Sequence, residues 1–284
     1  MFSFVIPCYN GKAALNNTLQ SLFWQDKSVP FEVILVDNNS NRDNLDELYE
    51  AYKDKLNLYL IKQPKLKTTY ALSRARNLGL KLSQYPWMIT LDSDIILPPH
   101  YLTSLSAYIN TANRDKSVLL TAERIFISRA DIEPLTWDKL TEAVPIASSS
   151  NYNRIEDRRL PYLKKLATTP HPWAFFHGCN TIFKTQSAIE AGGFDEEYDG
   201  HWGYEDIDFA YRIITRTNCK PLYLPSIYCY HQEEEDSAPT TLDRFDKSKN
   251  PNWKRICDRI PGFKEFKRQQ YQSLTCKELK LDES

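Results

Sequence analysis

Along the first ninety-seven residues, short continuous apolar runs alternate with stripes of apolar residues at helical spacing. Phe2 to Ile6 reads as a strand that Pro7, having no N–H, brings to an end, and Cys8-Tyr9-Asn10-Gly11 as the turn after it. Leu15, Leu19, Leu22 and Phe23 fall on one face of a helix. A second strand, Phe31 to Val36, runs into Asp37-Asn38-Asn39-Ser40, and Leu45, Leu48, Tyr49 and Tyr52 mark the next helix. Leu56 to Ile61 is a third strand, closed near Pro64. Tyr70 to Leu82, with Leu78 and Leu82 four apart, is a third helix, and Trp87 to Leu91 a fourth strand. Strand–helix alternation at this pitch implies right-handed crossovers and an α/β fold, with a central, mostly parallel sheet flanked by helices.

Beyond Asp94, Pro98 and Pro99 open a helix that runs to about Asn110, and Val118 to Ala122 reads as another strand. From Arg129 to Pro172 the periodicity degrades; Ser148-Ser149-Ser150, several prolines and the charged run Arg154 to Arg159 read as long loops, of the kind that serve as lids or acceptor-binding loops. Regularity returns with a strand at Thr181 to Lys184 and a helix whose Ile207, Ala210, Tyr211 and Ile214 form a buried face. Glu233 to Asp236 is an acidic run expected in a solvated loop. Lys254 to Arg268 mixes Ile256, Ile260, Phe263 and Phe266 with basic residues. Pro261-Gly262 interrupts it, so two helices packed back on the domain are expected rather than one amphipathic segment lying on anionic lipid.

In open parallel sheets ligands bind beyond the carboxyl ends of the strands. Those ends hold Pro7 to Asn10, Asp37 to Ser40, and Leu91-Asp92-Ser93-Asp94. Side chains at i and i+2 of an extended segment point the same way, so Asp92 and Asp94 present two carboxylates to one spot. Mg2+ or Mn2+ takes such oxygen ligands and completes its shell with phosphates, although Asp-Ser-Asp is also common in plain turns. With only 8 glycines, the chain has neither Gly-x-Gly-x-x-Gly nor Gly-Lys-Ser/Thr after its first strand. A metal must then carry any diphosphate charge, helped by Arg74 or Arg76 unless these lie on a solvated helix face.

The second polar cluster is Trp202-Gly203-Tyr204-Glu205-Asp206. Its two acids begin a helix, where the macrodipole favours them and keeps Asp206 ionised, as a general base must be. Tyr228-Cys229-Tyr230-His231 puts a histidine at the end of a strand-like run. The net charge of −1 gives no basic footprint for nucleic acid. An aromatic share of 13% suits sugar-stacking surfaces as well as a core. Six cysteines without Cys-x-x-Cys spacing point to reduced thiols in the cytoplasm. The amino terminus has no basic and long apolar stretch of the signal-peptide kind, and no run reaches transmembrane length.

Taken in order, Val5-Ile6-Pro7-Cys8-Tyr9-Asn10, Val36-Asp37-Asn38-Asn39-Ser40, Ala75-Arg76-Asn77-Leu78-Gly79 and Leu91-Asp92-Ser93-Asp94 resemble the inverting family 2 glycosyltransferases of the GT-A fold. Gly192-Gly193-Phe194, Trp202-Gly203 and Glu205-Asp206-Ile207-Asp208 resemble the carboxyl-terminal part of β4-galactosyltransferases and of chondroitin-polymerase-type transferases. The resemblance covers about residues 1–232. It implies a nucleotide-binding half (1–97), an acceptor and catalytic half (98–232) and an extension (233–284). It implies that Asp37 faces the nucleotide base, that Pro7 and Tyr9 line its pocket, and that Asn10, Asn39, Arg76 and Ser93 complete the donor site. Asp92 would bind ribose or support the metal, and Asp94 and His231 would ligate Mn2+ or Mg2+. Asp206 would be the catalytic base and Glu205 an acceptor-hydroxyl partner. The implied reaction moves a sugar from a UDP-sugar of the galactose, N-acetylgalactosamine or glucose type to a glycan or lipid-linked saccharide in polysaccharide biosynthesis. It would take place in the cytoplasm or against the inner face of the membrane. Tyr204 stands where many relatives have a second glycine, which leaves the sugar open. A sugar nucleotidyltransferase, or a non-catalytic nucleotide- or carbohydrate-binding module, are the alternatives.

Overall fold

The computed structural model describes residues 1–64, 70–112, 117–148, 155–233 and 250–270. In chain order these form β1 (Phe2–Cys8), α1 (Lys12–Phe23), β2 (Phe31–Asp37), α2 (Asp46–Tyr52), β3 (Leu58–Lys62), α3 (Leu72–Leu82) and β4 (Trp87–Thr90). There follow β5 (Ile95–Ile96), α4 (Tyr101–Ala112), β6 (Val118–Ser128), α5 (Arg129–Ile132), α6 (Trp137–Glu142) and α7 (Leu160–Leu163). The last elements are β7 (Thr181–Lys184), α8 (Thr185–Glu190), α9 (Glu205–Thr217), β8 (Lys220–Glu233) and α10 (Pro251–Arg259), and residues 263–270 are also helical.

The eight strands form one sheet in the order β3-β2-β1-β4-β7-β6-β8-β5. The first four strands pair in parallel, as the strand–helix alternation implies. β7 runs antiparallel to both β4 and β6, and β5 antiparallel to β8. Alternate residues of β1 feed opposite faces. Phe2, Phe4, Ile6 and Cys8 join a core under α1, α2 and α4, while Val5 joins one under α3, α8, α9 and α10. The result is a helix–sheet–helix sandwich.

Several local expectations are corrected. β1 does not stop at Pro7 but runs to Cys8, paired with Asp37 of β2. Cys8 bonds toward β2, since its carbonyl accepts from Asn38 N–H, and Val5 bonds toward β4, since its carbonyl accepts from Leu91 N–H. Pro7, two residues after Val5, therefore lacks its donor on the β4 side alone, and the β1–β4 ladder ends at Val5–Thr90. Beyond that point the chain carries Asp92 and Asp94 from β4 to β5 at the other edge of the sheet. Phe23, expected on the buried face of α1, is 40% exposed. On α3, Leu82 is exposed, and the buried face is Ser73, Ala75, Arg76, Gly79 and Leu80.

Those small residues let α3 lie close to β1: a Cβ on Gly79 would come within 2.2 Å of Val5 Cγ1. Gly79→Ala should therefore cost about 1–3 kcal/mol through overpacking, visible as a lower Tm.

The stretch from Arg129 to Pro172 holds short helices whose Ile132, Leu140, Leu163 and Leu166 are buried; Ser149 to Arg154 lie outside the described residues. Of the acidic run, Glu233 ends β8 and 234–236 lie outside the described residues. Ile256, Ile260 and Phe263 are buried in the core beneath α9. Among the described residues no helix is long and apolar enough to cross a membrane.

Candidate active site

The turns after β1 and β2 are tied to each other. Asp37 Oδ1 accepts from the N–H and the hydroxyl of Ser40, at 2.8 and 2.7 Å. Ser40 Oγ accepts from Asn10 N–H at 2.8 Å, and Asn10 Oδ1 accepts from the N–H groups of Asn41 and Arg42. Asn10 and Asn39 both take the left-handed conformation, φ 57° and 59°, that short polar side chains tolerate. Pro7 is buried at this edge and Tyr9 is 38% exposed, its ring available to a planar ligand. The structure thus brings Pro7, Tyr9, Asn10, Asp37 and Asn39 to one rim.

Asp92, Ser93 and Asp94 lie beside that rim. Thr18 donates to the Ser93 carbonyl at 2.9 Å, anchoring the turn to α1. β5 pairs with β8 so that Ile95 faces His231, and the Asp94 carbonyl accepts from Gln232 N–H at 3.0 Å. This register puts Asp94 Oδ2 at 3.6 Å from His231 Nε2. On the far side of the imidazole, Nδ1 is 3.4 Å from Glu233 Oε1, which also accepts the Ser148 hydroxyl at 2.6 Å. Asp94 Oδ1 is buried and has no hydrogen-bond partner. Carboxylate and imidazole donors suit a divalent ion such as Mn2+, and that partnerless oxygen is one that a cation would satisfy. Among the described residues no group of three or more His, Cys, Asp and Glu side chains closes into a metal cage. Asp92 turns instead toward Arg76, with Oδ1 at 3.4 Å from Nη2. Burial raises the Asp92 carboxyl above its ordinary range and Arg76 pulls it back, while Asp94 adds to the rise.

Arg76 is the centre of the site. It does not lie on a solvated face; it is 1% exposed. Nη1 donates to Glu205 Oε1 at 2.8 Å while Nη2 faces Asp92, so a single guanidinium spans the two acidic clusters. Its plane rests 5.4 Å from the Phe194 ring. Gly178 backs it so closely that a Cβ there would come within 2.1 Å of Nη2.

Asp206 follows Glu205 in the first turn of α9. Its Oδ2 accepts from Gly178 N–H at 2.9 Å and its Oδ1 from Ile207 N–H at 2.8 Å. The helix end does not keep it a strong acid. Burial and the neighbouring Glu205 carboxylate push it up to about 7, against the opposing pull of Arg76 and the two backbone N–H groups. Glu205 is itself 6% exposed and held by Arg76.

Three supports were not visible in the sequence. Asp157 accepts from Arg159 at 2.7 Å and lies near Arg124, and the two guanidiniums hold it well below the usual carboxylate range despite its burial. Arg124 reaches His177 Nδ1 at 3.0 Å, and burial with Arg124 keeps that imidazole neutral. Asp199 caps α3 by accepting from the N–H groups of Ser73 and Arg74, at 3.0 and 3.1 Å. The charged run ending at Arg159 was the only trace of the first; none of the others follows a local pattern.

Residues 3–192 match Glycosyl transferase family 2, and residues 164–222 match the N-terminal domain of galactosyltransferase. A chondroitin synthase of Escherichia coli is 30% identical over 98% of this chain, which spans 41% of that protein's length. Staphylococcus aureus TarS in complex with UDP-GlcNAc superposes with a TM-score of 0.57 at 22% identity, over 84% of this chain and 60% of that one. A mannosyltransferase of Pyrobaculum calidifontis in complex with GDP-Man and Mn2+ gives 0.55 at 17%, over 83% and 58%. These likenesses establish the GT-A-type fold, and the sugar nucleotidyltransferase and non-catalytic readings give way. By its match over two thirds of its length, this chain belongs to glycosyl transferase family 2 and is a glycosyltransferase.

Proposed function

We propose that the chain is a metal-dependent, inverting glycosyltransferase that moves a sugar from a UDP-sugar to a hydroxyl of a growing glycan or lipid-linked saccharide. The observation that carries this reading is the Arg76 bridge, which fixes the donor-side Asp92 and the acid pair Glu205-Asp206 on one guanidinium. Leaving group and attacking hydroxyl would then meet on either side of it. Pro7, Tyr9, Asn10, Asp37 and Asn39 would hold the nucleoside, and Asp92 with Ser93 the ribose. Asp94 and His231 would hold Mn2+ or Mg2+, with the donor's phosphates completing the shell; the ion supplies positive charge to the departing diphosphate. Glu205 would orient the acceptor and Asp206 accept its proton as it attacks the anomeric carbon, inverting that centre in one displacement. The UDP-GlcNAc and Mn2+ complexes among the structural neighbours and the synthase name of the E. coli relative support the reading. Cys8, Cys179, Cys219 and Cys229 are buried thiols, which favours a reducing, cytoplasmic setting. Ile256, Ile260 and Phe263 are buried in the core rather than offered to lipid, which disfavours membrane contact by this segment.

Released UDP from a panel of UDP-sugars with Mn2+ and oligosaccharide acceptors tests the reaction; absence of any turnover with UDP-sugars, with turnover on another nucleotide sugar, would change the donor class. Calorimetry tests the metal pair. Asp94→Ala should abolish the gain in UDP affinity that Mn2+ brings to the parent, and His231→Ala should reduce it less. An unchanged gain in Asp94→Ala would remove that residue from the metal's ligands.

A further inference from the structure

We propose that α10, outside the span of both family matches, belongs to the catalytic apparatus, and that Asn252 is a positioning residue for the acceptor side. This rests on the reading of Glu205 and Asp206 given above.

The loop from Tyr198 to Tyr204 delivers those two acids. Beyond the 3-10 turn that ends at Tyr198 it makes no regular structure, so something must satisfy its carbonyls. Two side chains at the start of α10 do so. Asn252 is fully buried, and its Nδ2 donates to the carbonyls of Tyr198, His201 and Gly203, at 2.8, 3.1 and 3.1 Å. Asn250 Nδ2 donates to the carbonyl of Trp202 at 2.9 Å, while its Oδ1 caps α10 at the N–H of Asn252. Tyr204, which ends the loop, sits at φ 75°, a conformation that costs a bulky side chain and needs outside support. Its ring lies against Trp253 and Phe263, at 5.7 and 6.1 Å. Arg255 stacks over Tyr198 at 5.4 Å, and Arg259 pairs with Asp208 of α9 at 3.0 Å.

The same loop reaches the donor side. Asp199 caps α3, the helix of Arg76, and Gly200 N–H donates to the Tyr70 carbonyl at 2.7 Å. A shift of the loop would therefore move Asp206, Glu205 and the start of α3, while the nucleoside rim at the ends of β1 and β2 keeps its place. Asn252, which touches none of the reacting groups, sets their geometry through the loop backbone, where Tyr204 alone separates Gly203 from Glu205.

The variant that isolates this role is Asn252→Asp. It keeps the shape and the oxygen that accepts from Arg255, at 3.1 Å, and replaces the donor that faces three carbonyls with an acceptor. A displacement of about an ångström at reacting groups typically costs about 100-fold. We expect kcat for transfer to fall by about 10- to 100-fold, with a raised acceptor KM and with UDP affinity in the presence of Mn2+ within twofold of the parent. Ile256→Val, which loosens α10 in the core without touching the loop, supplies the comparison. It should lower Tm with kcat and acceptor KM unmoved. Equal kinetic loss in Ile256→Val at a matched fall in Tm would overturn the positioning role, as would transfer by Asn252→Asp within twofold of the parent. Hydrogen exchange separates this proposal from the enzymatic reading. Even if no UDP-sugar were turned over, peptides spanning 198–206 should exchange faster in Asn252→Asp than in Ile256→Val, and equal rates would refute the clamp.

Discussion

Asp206→Asn should reduce sugar transfer by about 10²- to 10⁴-fold, the usual worth of a general base, while UDP binding survives. The amide keeps the size of the carboxylate and removes its basicity. Donor binding is spared because Asp37 ends β2 and Asp92 and Asp94 lie between β4 and β5, away from α9. The parent should show transfer rising with pH to a plateau, with an apparent midpoint near the value of about 7 that the buried, Glu205-flanked carboxyl takes. Below it the neutral acid cannot accept the acceptor's proton. Stability should move the opposite way. A carboxyl whose pKa is raised from 3.8 to about 7 by folding binds its proton more tightly in the native state. Its contribution is full below about 4 and is lost as pH climbs through 7. The parent's Tm should thus fall relative to that of Asp206→Asn between about pH 4 and 7. A variant that transfers within a few-fold of the parent at saturating acceptor would assign the proton to another group.

Arg76→Met should be the most destabilising single change in the site. It leaves Glu205, 6% exposed, without its partner at 2.8 Å, and Asp92 without its partner at 3.4 Å. Removing one member of a buried pair typically costs about 3–5 kcal/mol, a Tm loss of roughly 6–20 °C for a chain of this size. Arg76→Lys should recover little, because one ammonium cannot reach in two directions as the guanidinium fork does. The double variant Arg76→Met/Glu205→Gln should regain part of the loss, since the stranded charge is gone. Gly178→Ala should fall in the same direction, as its Cβ would occupy the guanidinium's place. A Tm within about 2 °C of the parent for Arg76→Met would mean that water, not Arg76, satisfies Glu205.

The nucleotide-side architecture was legible because each of its strands is a short apolar run and each helix carries an apolar stripe. Asp37, Asp92 and Asp94 followed from their positions after those runs. Whether Arg76 is buried stayed open in the sequence because Leu78 and Leu82 suggested the buried face of α3, whereas Ser73, Ala75 and Gly79 help to make it. Small residues carry almost no hydropathy signal, yet they are what lets a helix approach a sheet. Pro7 was read as a stop because its missing N–H was charged to both neighbours, and only β4 is affected. Asp206 was read as ionised from its helix end alone; burial and Glu205, which depend on the fold, decide the matter. The Arg124–Asp157–Arg159 cluster and the Asn252 clamp join residues whose sequence neighbours say nothing of their partners.

The pairing of β5 has a consequence for biosynthesis. Among the described residues this two-residue strand pairs only with β8, which comes last of the described strands in chain order. Asn17 near the amino terminus waits for the same strand, donating to Gln232 at 2.8 Å across 215 residues. On the ribosome, domains form as their segments emerge, and contacts across long loops come late. A nascent chain can therefore close its parallel half early, yet Asp94 has no fixed place beside His231 until residue 233 has left the exit tunnel. Asp94 and His231 thus come together only once β8 has been made, and the Asn252 clamp of α10 follows later still.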